Sequence, residues 1–232
     1  MHLRSPHTES DITTLHTFIR SHPLGLITTA IDSPTHPLLQ TSHVPWTLHV
    51  SSDTDLGTLR GHMARGNPQV QAMISELSSR AAAGHLDDST GNGGELTREV
   101  LVLFNAPTLQ HYVTPQWFTE TKPVSGKVVP TWNYVAAQVY GKMRVWFDSK
   151  AGSTNQFLDG QLEGLTRHCE RNVMGFEEPW EVRDAPEGYL RVMKKGIVGV
   201  EVGIERLEGK WKMSQEMGRG DREGVVRGFE EL

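Results

Sequence analysis

The chain has 232 residues, 37% of them hydrophobic, and a formal charge of −5. That length can bury one good-sized core, and a mean hydropathy of −0.42 is an ordinary soluble composition. The acidic balance argues against a general nucleic-acid binder, whose phosphate contacts need clustered Lys and Arg.

No run approaches 18 apolar residues, and the N-terminal MHLRSPHTESD has neither a basic nor an apolar leader region. The single Cys169 excludes an internal disulfide and fits a reducing compartment, so a cytoplasmic protein without membrane association is expected.

Ile12, Leu15, Phe18 and Ile19 repeat at helical spacing and predict a first helix over about 10–21. Thr8 and Asp11 are spaced as a capping box, and Pro23 ends the helix. A strand over 25–31 and a turn at Asp32-Ser33-Pro34 follow. The next strand, 38–50, has the clearest period of two. Ser42, Val44, Trp46, Leu48 and Val50 share one face; Thr41, His43, Pro45, Thr47 and His49 share the other. Pro45 has no N–H to give a ladder, so it marks an edge, a bulge or an opening in the sheet. After a third strand over 57–63, Asn67 and Pro68 supply the N-cap and first position of a helix with Val70, Met73, Ile74 and Leu77 as its buried stripe.

The small, polar, glycine-rich segment 78–96 reads as a flexible insertion. Beyond it, an apolar run predicts a central strand at 99–105, then a short strand at 111–114 and one helical turn from Pro115. A loop over 121–130 leads to a strand at 136–147. A helix at about 155–173 carries Leu158, Leu162, Leu165 and Cys169 on one face. Pro186 opens a last helix that Gly196 stops, and 197–207 with 210–214 forms a hairpin turning at Glu208-Gly209. About seven strands mostly follow one another, with the helices peripheral. That order disfavours a parallel sheet and predicts a small antiparallel barrel, one domain over 1–232.

No GxSxG, HExxH, CxxC or P-loop occurs. Cys169, between His168 and Glu170, belongs to an apolar helical stripe, and adjacent residues point about 100° apart, so this run is structural. His43 and His49 share a strand face but lie roughly 20 Å apart, and no compact His/Asp/Glu spacing supplies a metal site, so no metal is expected.

Two stretches carry more chemistry. Arg60-Gly61-His62 and Arg65 run from a strand into the capped helix at Asn67, where cations and free N–H groups could seat a phosphate. The alternative is a plain strand–helix turn with surface arginines. Val129-Pro130-Thr131-Trp132-Asn133-Tyr134 could flank a planar heterocycle, with Asn133 bonding its polar edge, or could simply pack into a core.

Taken in order, Ser42-His43-Val44-Pro45, the stretch from Gly57 to Pro68, Tyr112-Val113-Thr114-Pro115-Gln116-Trp117-Phe118, the Val129–Tyr134 stretch and Arg206 to Gln215 resemble the PaiB family of FMN-binding proteins, known as negative transcriptional regulators. The resemblance implies a mainly β fold with peripheral helices: an FMN-binding split β-barrel, antiparallel and of Greek-key type, related to pyridoxamine-phosphate oxidases and flavin reductases. It implies a homodimer with FMN at the subunit interface. Ser42, His43, Arg60, Gly61 and His62 would contact the flavin and its phosphate, with Arg65 and Asn67 in support. Trp132, Asn133, Lys212 and Gln215 would come from the other side, in the same subunit or its partner.

Three functions follow from that family. The first is an FMN-dependent oxidoreductase acting on a small molecule, with His43 or His62 as proton donor. The second is a regulator sensing flavin or redox state through a partner, since no helix-turn-helix with a basic recognition helix is visible and direct DNA binding is not expected. The third is a haem-binding split barrel, for which no histidine stands out as axial ligand.

Overall fold

The protein, seen in a computed structural model, is described over residues 1–85 and 93–231. Its elements in chain order are β1 (Thr8–Glu9), α1 (Ile12–Ser21), β2 (Leu24–Ala30), β3 (Leu39–His49), β4 (Thr58–Ala64), α2 (Pro68–Ala82), β5 (Gly94–Glu95), β6 (Val100–Asn105) and β7 (His111–Val113). Then come α3 (Thr121–Ser125), β8 (Thr131–Trp146), α4 (Gly152–His168), α5 (Glu187–Lys195), β9 (Ile197–Lys212) and α6 (Arg219–Glu230).

Antiparallel pairing runs β9–β4–β3–β2–β6–β8, and β8 pairs back onto β9. Closing the ring makes a barrel that is split along β3. β3 is shared between two neighbours. Residues 39–45 pair with β2, and from Trp46 onward the strand pairs with β4 as well or instead. Pro45 sits at that handover, where a missing N–H is least disruptive, which accounts for the opening its sequence position suggested.

Inward-facing Ile27, Val44, Trp46, Leu59, Val102, Phe104, Val139, Val200 and Val202 fill the barrel. Leu15 and Ile19 of α1 and Val70, Met73 and Leu77 of α2 join them. Gly61 is a packing glycine: a Cβ there would lie 2.9 Å from Val44 Cγ1 and 3.0 Å from the Trp46 ring. The N-cap at Asn67 is present, its side chain accepting the Gln69 N–H at 2.9 Å.

Several expectations are corrected. The cap of α1 is Asp11, which accepts the Thr14 N–H at 2.7 Å, whereas Thr8 lies in β1 opposite Lys210. β8 begins at Thr131, so Trp132 and Asn133 lie inside a strand, and the loop before it contains α3. The long helix gives way after His168 to a wider turn over Cys169–Val173. Helix α2 runs through Ala82, and Gly94–Glu95 pairs with β8, so both ends of the segment read as an insertion are regular. The residues between, 86–92, lie outside the described ones.

The expected C-terminal hairpin does not exist; β9 is one strand of 16 residues. Glu208 and Gly209 stay in the ladder opposite Gln138 and Ala137. Gly209 is there because Leu15 of α1 and Trp211 occupy the space a Cβ would need. The last helix is α6, not α5. It packs Val225 and Phe229 against Val113, Trp117 and Phe118 in a small second core.

Candidate functional site

The residues expected around a cofactor fall into two groups. Alternation along β4 sends Leu59, Gly61 and Met63 inward and Arg60 and His62 outward. Helix α4 covers that outer face. Gln161 Oε1 lies 2.7 Å from His62 Nδ1, and Phe157 stacks on Trp146 at 5.0 Å and 14°. Arg60 reaches over the same Phe157 ring at 5.7 Å while its Nε donates to Glu201 Oε2 at 2.7 Å.

Burial pushes the His62 pKa below its ordinary value, and the bond to Gln161 opposes this only in part. His49 is shifted the same way by burial and then by the Arg60 charge, with Glu201 pulling in the other direction. Arg65 Nη2 donates to the Phe147 carbonyl at 2.5 Å and its Nε to the Lys195 carbonyl at 3.2 Å. Asn67 Nδ2 donates to Ser42 Oγ at 3.0 Å. His43 is exposed on β3, opposite Leu26.

The expected phosphate seat is therefore partly occupied from within the chain. The arginines already have acceptors, and Asn67 takes the first free N–H of α2. Arg60, Glu201, Arg144 and Glu95 also lie in register across β4, β9, β8 and β5, a row of alternating charge. A groove of about 790 Å³ crosses the same strands, lined in part by Lys142, Trp146 and Glu205.

The second group lies where β7, β8 and the end of β9 meet. Trp132 is 57% exposed and meets Tyr112 edge-on at 5.7 Å. Asn133, one residue on, faces the other side of the strand and is 3% exposed, its Oδ1 accepting the Ser214 hydroxyl at 2.9 Å. The two side chains thus leave the strand on opposite faces.

Lys212 Nζ donates to Thr131 Oγ1 and, at 2.8 Å, to the Trp132 carbonyl. Gln215 donates to the Trp211 carbonyl and, at 2.9 Å, to that of Pro6. Next to it, Glu216 pairs with the buried His7 at 2.9 Å. Burial raises the Glu216 carboxyl, but its bond to His7 and the charges of His7 and Lys212 outweigh this and leave its pKa lowered.

Among the described residues, no cluster of His, Cys, Asp and Glu could hold a metal ion. No described helix is long and apolar enough to cross a membrane. Sequence reasoning missed Gln161, Glu201, Tyr112 and Ser214. Ser214 and Tyr112 lie inside motifs already singled out, whereas nothing local marks Gln161 as the cover of His62.

The chain is 52% identical over 236 residues to Uncharacterized protein AN0679 of Emericella nidulans, covering 100% of this chain and 91% of that one. It is 26% identical over 185 residues to Protease synthase and sporulation protein PAI 2 of Bacillus subtilis, covering 80% of this chain and 70% of that protein. Among solved structures it is similar to the FAD and heme binding protein from Mycobacterium smegmatis, with a TM-score of 0.49 and 13% identity over 96% of this chain and 80% of the other. The family described as "Putative FMN-binding domain" matches residues 1–206. That match reaches all six barrel strands, and the chain belongs to this family of FMN-binding domains.

Proposed function

We propose that the chain is a cytoplasmic flavoprotein that holds FMN between two copies of itself and uses it for redox chemistry on a small molecule. The observation that carries this reading is the exposed Tyr112–Trp132 pair with the Lys212 ammonium beside it. An exposed indole offers a planar apolar surface to a flavin ring, and an ammonium offers a charge to its phosphate or to its reduced form. Val129 and Met213 are exposed around them, an apolar patch suited to cover by a cofactor and a second copy.

Bound FMN supplies hydride and single-electron transfer. The chain's own residues divide the rest. Trp132 and Tyr112 bind the ring, Lys212 provides charge, and the partner copy brings Ser42, His43 and Arg60 to the other side. His43, exposed on β3, is the group placed to give or take a proton, whereas His62 is covered by α4.

A second reading is regulation through a protein partner. It draws on the sporulation protein among the relatives and on Met174, Phe176, Tyr189 and Val192, apolar side chains left exposed around α5.

The test is an absorption spectrum of the purified full chain, with its mass in solution measured with and without added FMN. A flavin spectrum from a dimer is expected. A colourless chain that takes up no FMN refutes the reading, a Soret band replaces flavin by haem, and a monomer saturated with FMN removes the shared site.

A further inference from the structure

Ser214 is the one described residue other than glycine with a positive φ, at 63°. The left-handed region is disfavoured for any residue with a Cβ. Elsewhere this chain meets that demand with glycine, at Gly57, Gly84, Gly93, Gly126 and Gly175. What a serine adds over glycine is its hydroxyl, and that hydroxyl, on a residue 2% exposed, bonds Asn133 Oδ1.

The bond has a second consequence. An amide has one carbonyl oxygen and one NH₂ group, so fixing Oδ1 on Ser214 fixes where Nδ2 points. Asn133 as a whole is 3% exposed, no described residue accepts from its Nδ2, and that nitrogen is not among the sealed, unpartnered polar atoms. A left-handed serine is costly, and the bond its hydroxyl makes leaves the amide's own donor open to a further acceptor. The two sit on the same hydrogen bond, next to Trp132 and two residues from Lys212.

We propose that Ser214 is a positioning residue, holding the Asn133 amide so that its NH₂ donates to an acceptor atom of the bound flavin. This rests on the flavin reading above. It adds a residue beyond the span of the family match, which ends at residue 206.

The substitution Ser214→Gly separates the two roles, because glycine suits the backbone and lacks the hydroxyl. The full chain and this variant are compared for melting temperature, FMN affinity and flavin midpoint potential, with Ser214→Ala as the variant that keeps the strain. The expected result is a Ser214→Gly chain at least as heat-stable as the parent. It binds FMN roughly tenfold more weakly, as loss of one oriented hydrogen bond requires, with a shifted midpoint potential. Ser214→Ala should match it in affinity and potential and melt lower. If Ser214→Gly leaves affinity and potential unchanged in a parent that binds FMN, this inference falls and the flavin reading stands. A parent that binds no FMN overturns both.

Discussion

His62 Nδ1 and Gln161 Oε1 are 2.7 Å apart, and through this contact helix α4 is fastened to the outer face of strand β4. The geometry suits a neutral imidazole that carries its proton on Nδ1 and donates it to the amide oxygen. Burial lowers the His62 pKa from its ordinary 6.5, so the folded chain takes up this proton later than the unfolded one as pH falls. The unfolded state then binds more protons below about pH 6.5, and stability must decrease with falling pH from there. Thermal melts across that range should show the decline. In His62→Asn, which keeps a donor and cannot titrate, the slope should be shallower. An unchanged slope would show that His62 is not the group responsible.

Burial is the main influence on His49, and the paired Arg60 and Glu201 act on it in opposite directions. Glu201 raises the His49 pKa, while burial and Arg60 lower it. Glu201→Gln removes only the raising influence, so the His49 pKa should drop further below 6.5. Its ring resonances in a pH titration report this directly; an upward shift would contradict the arrangement. The effect on stability should stay within about 1 kcal/mol, because the Arg60 side chain is 41% exposed and solvent screens the pair.

What could be read in advance was whatever local chemistry decides. The alternation of β3 survives in the structure because one face of that strand is core, and Asn67-Pro68 caps a helix whatever lies around it. Gly209 shows the limit. A turn and a close approach both call for glycine, and only the arrival of Leu15 from α1 decides between them. Trp132 and Asn133 were read as lying ahead of a strand, but β8 begins at Thr131 and turns the two side chains to opposite faces. The phosphate seat was legible as residue types. That Arg65 donates to the Phe147 and Lys195 carbonyls was not, since those acceptors depend on where distant strands and helices end.

Helix α6 was missed for a related reason, and its glycines lead to a further test. Gly224 and Gly228 weaken helix propensity, but each faces Trp117, and a Cβ on either would collide with the Trp117 carbonyl or ring. Asp221 fastens the same helix by accepting the Glu120 and Thr121 N–H groups at 2.9 and 3.0 Å. Gly224→Val should therefore detach α6 at a cost of about 1–3 kcal/mol. The small core of Val113, Phe118 and Val225 is separate from the barrel core. Hydrogen exchange should then quicken in α6 and β7 and remain slow in β2, β6 and β8. Uniform loss of protection would mean that α6 belongs to the barrel's cooperative unit.

Trp132 offers the most direct separation of binding from folding. More than half of its surface is exposed, and its ring contact is the edge-on one with Tyr112. Trp132→Ala creates no cavity in the barrel, so the folded chain should lose less than about 1 kcal/mol of stability. If the indole is instead part of a flavin surface, the same change removes a large planar contact from the cofactor, and FMN affinity should fall tenfold or more. Titrating flavin fluorescence against both chains, alongside their melting temperatures, distinguishes these effects. Equal affinity with equal stability would move the flavin away from Trp132 and toward the Arg60–His62 face under α4. A large drop in stability would instead make the indole a structural residue whose exposure is covered in the dimer.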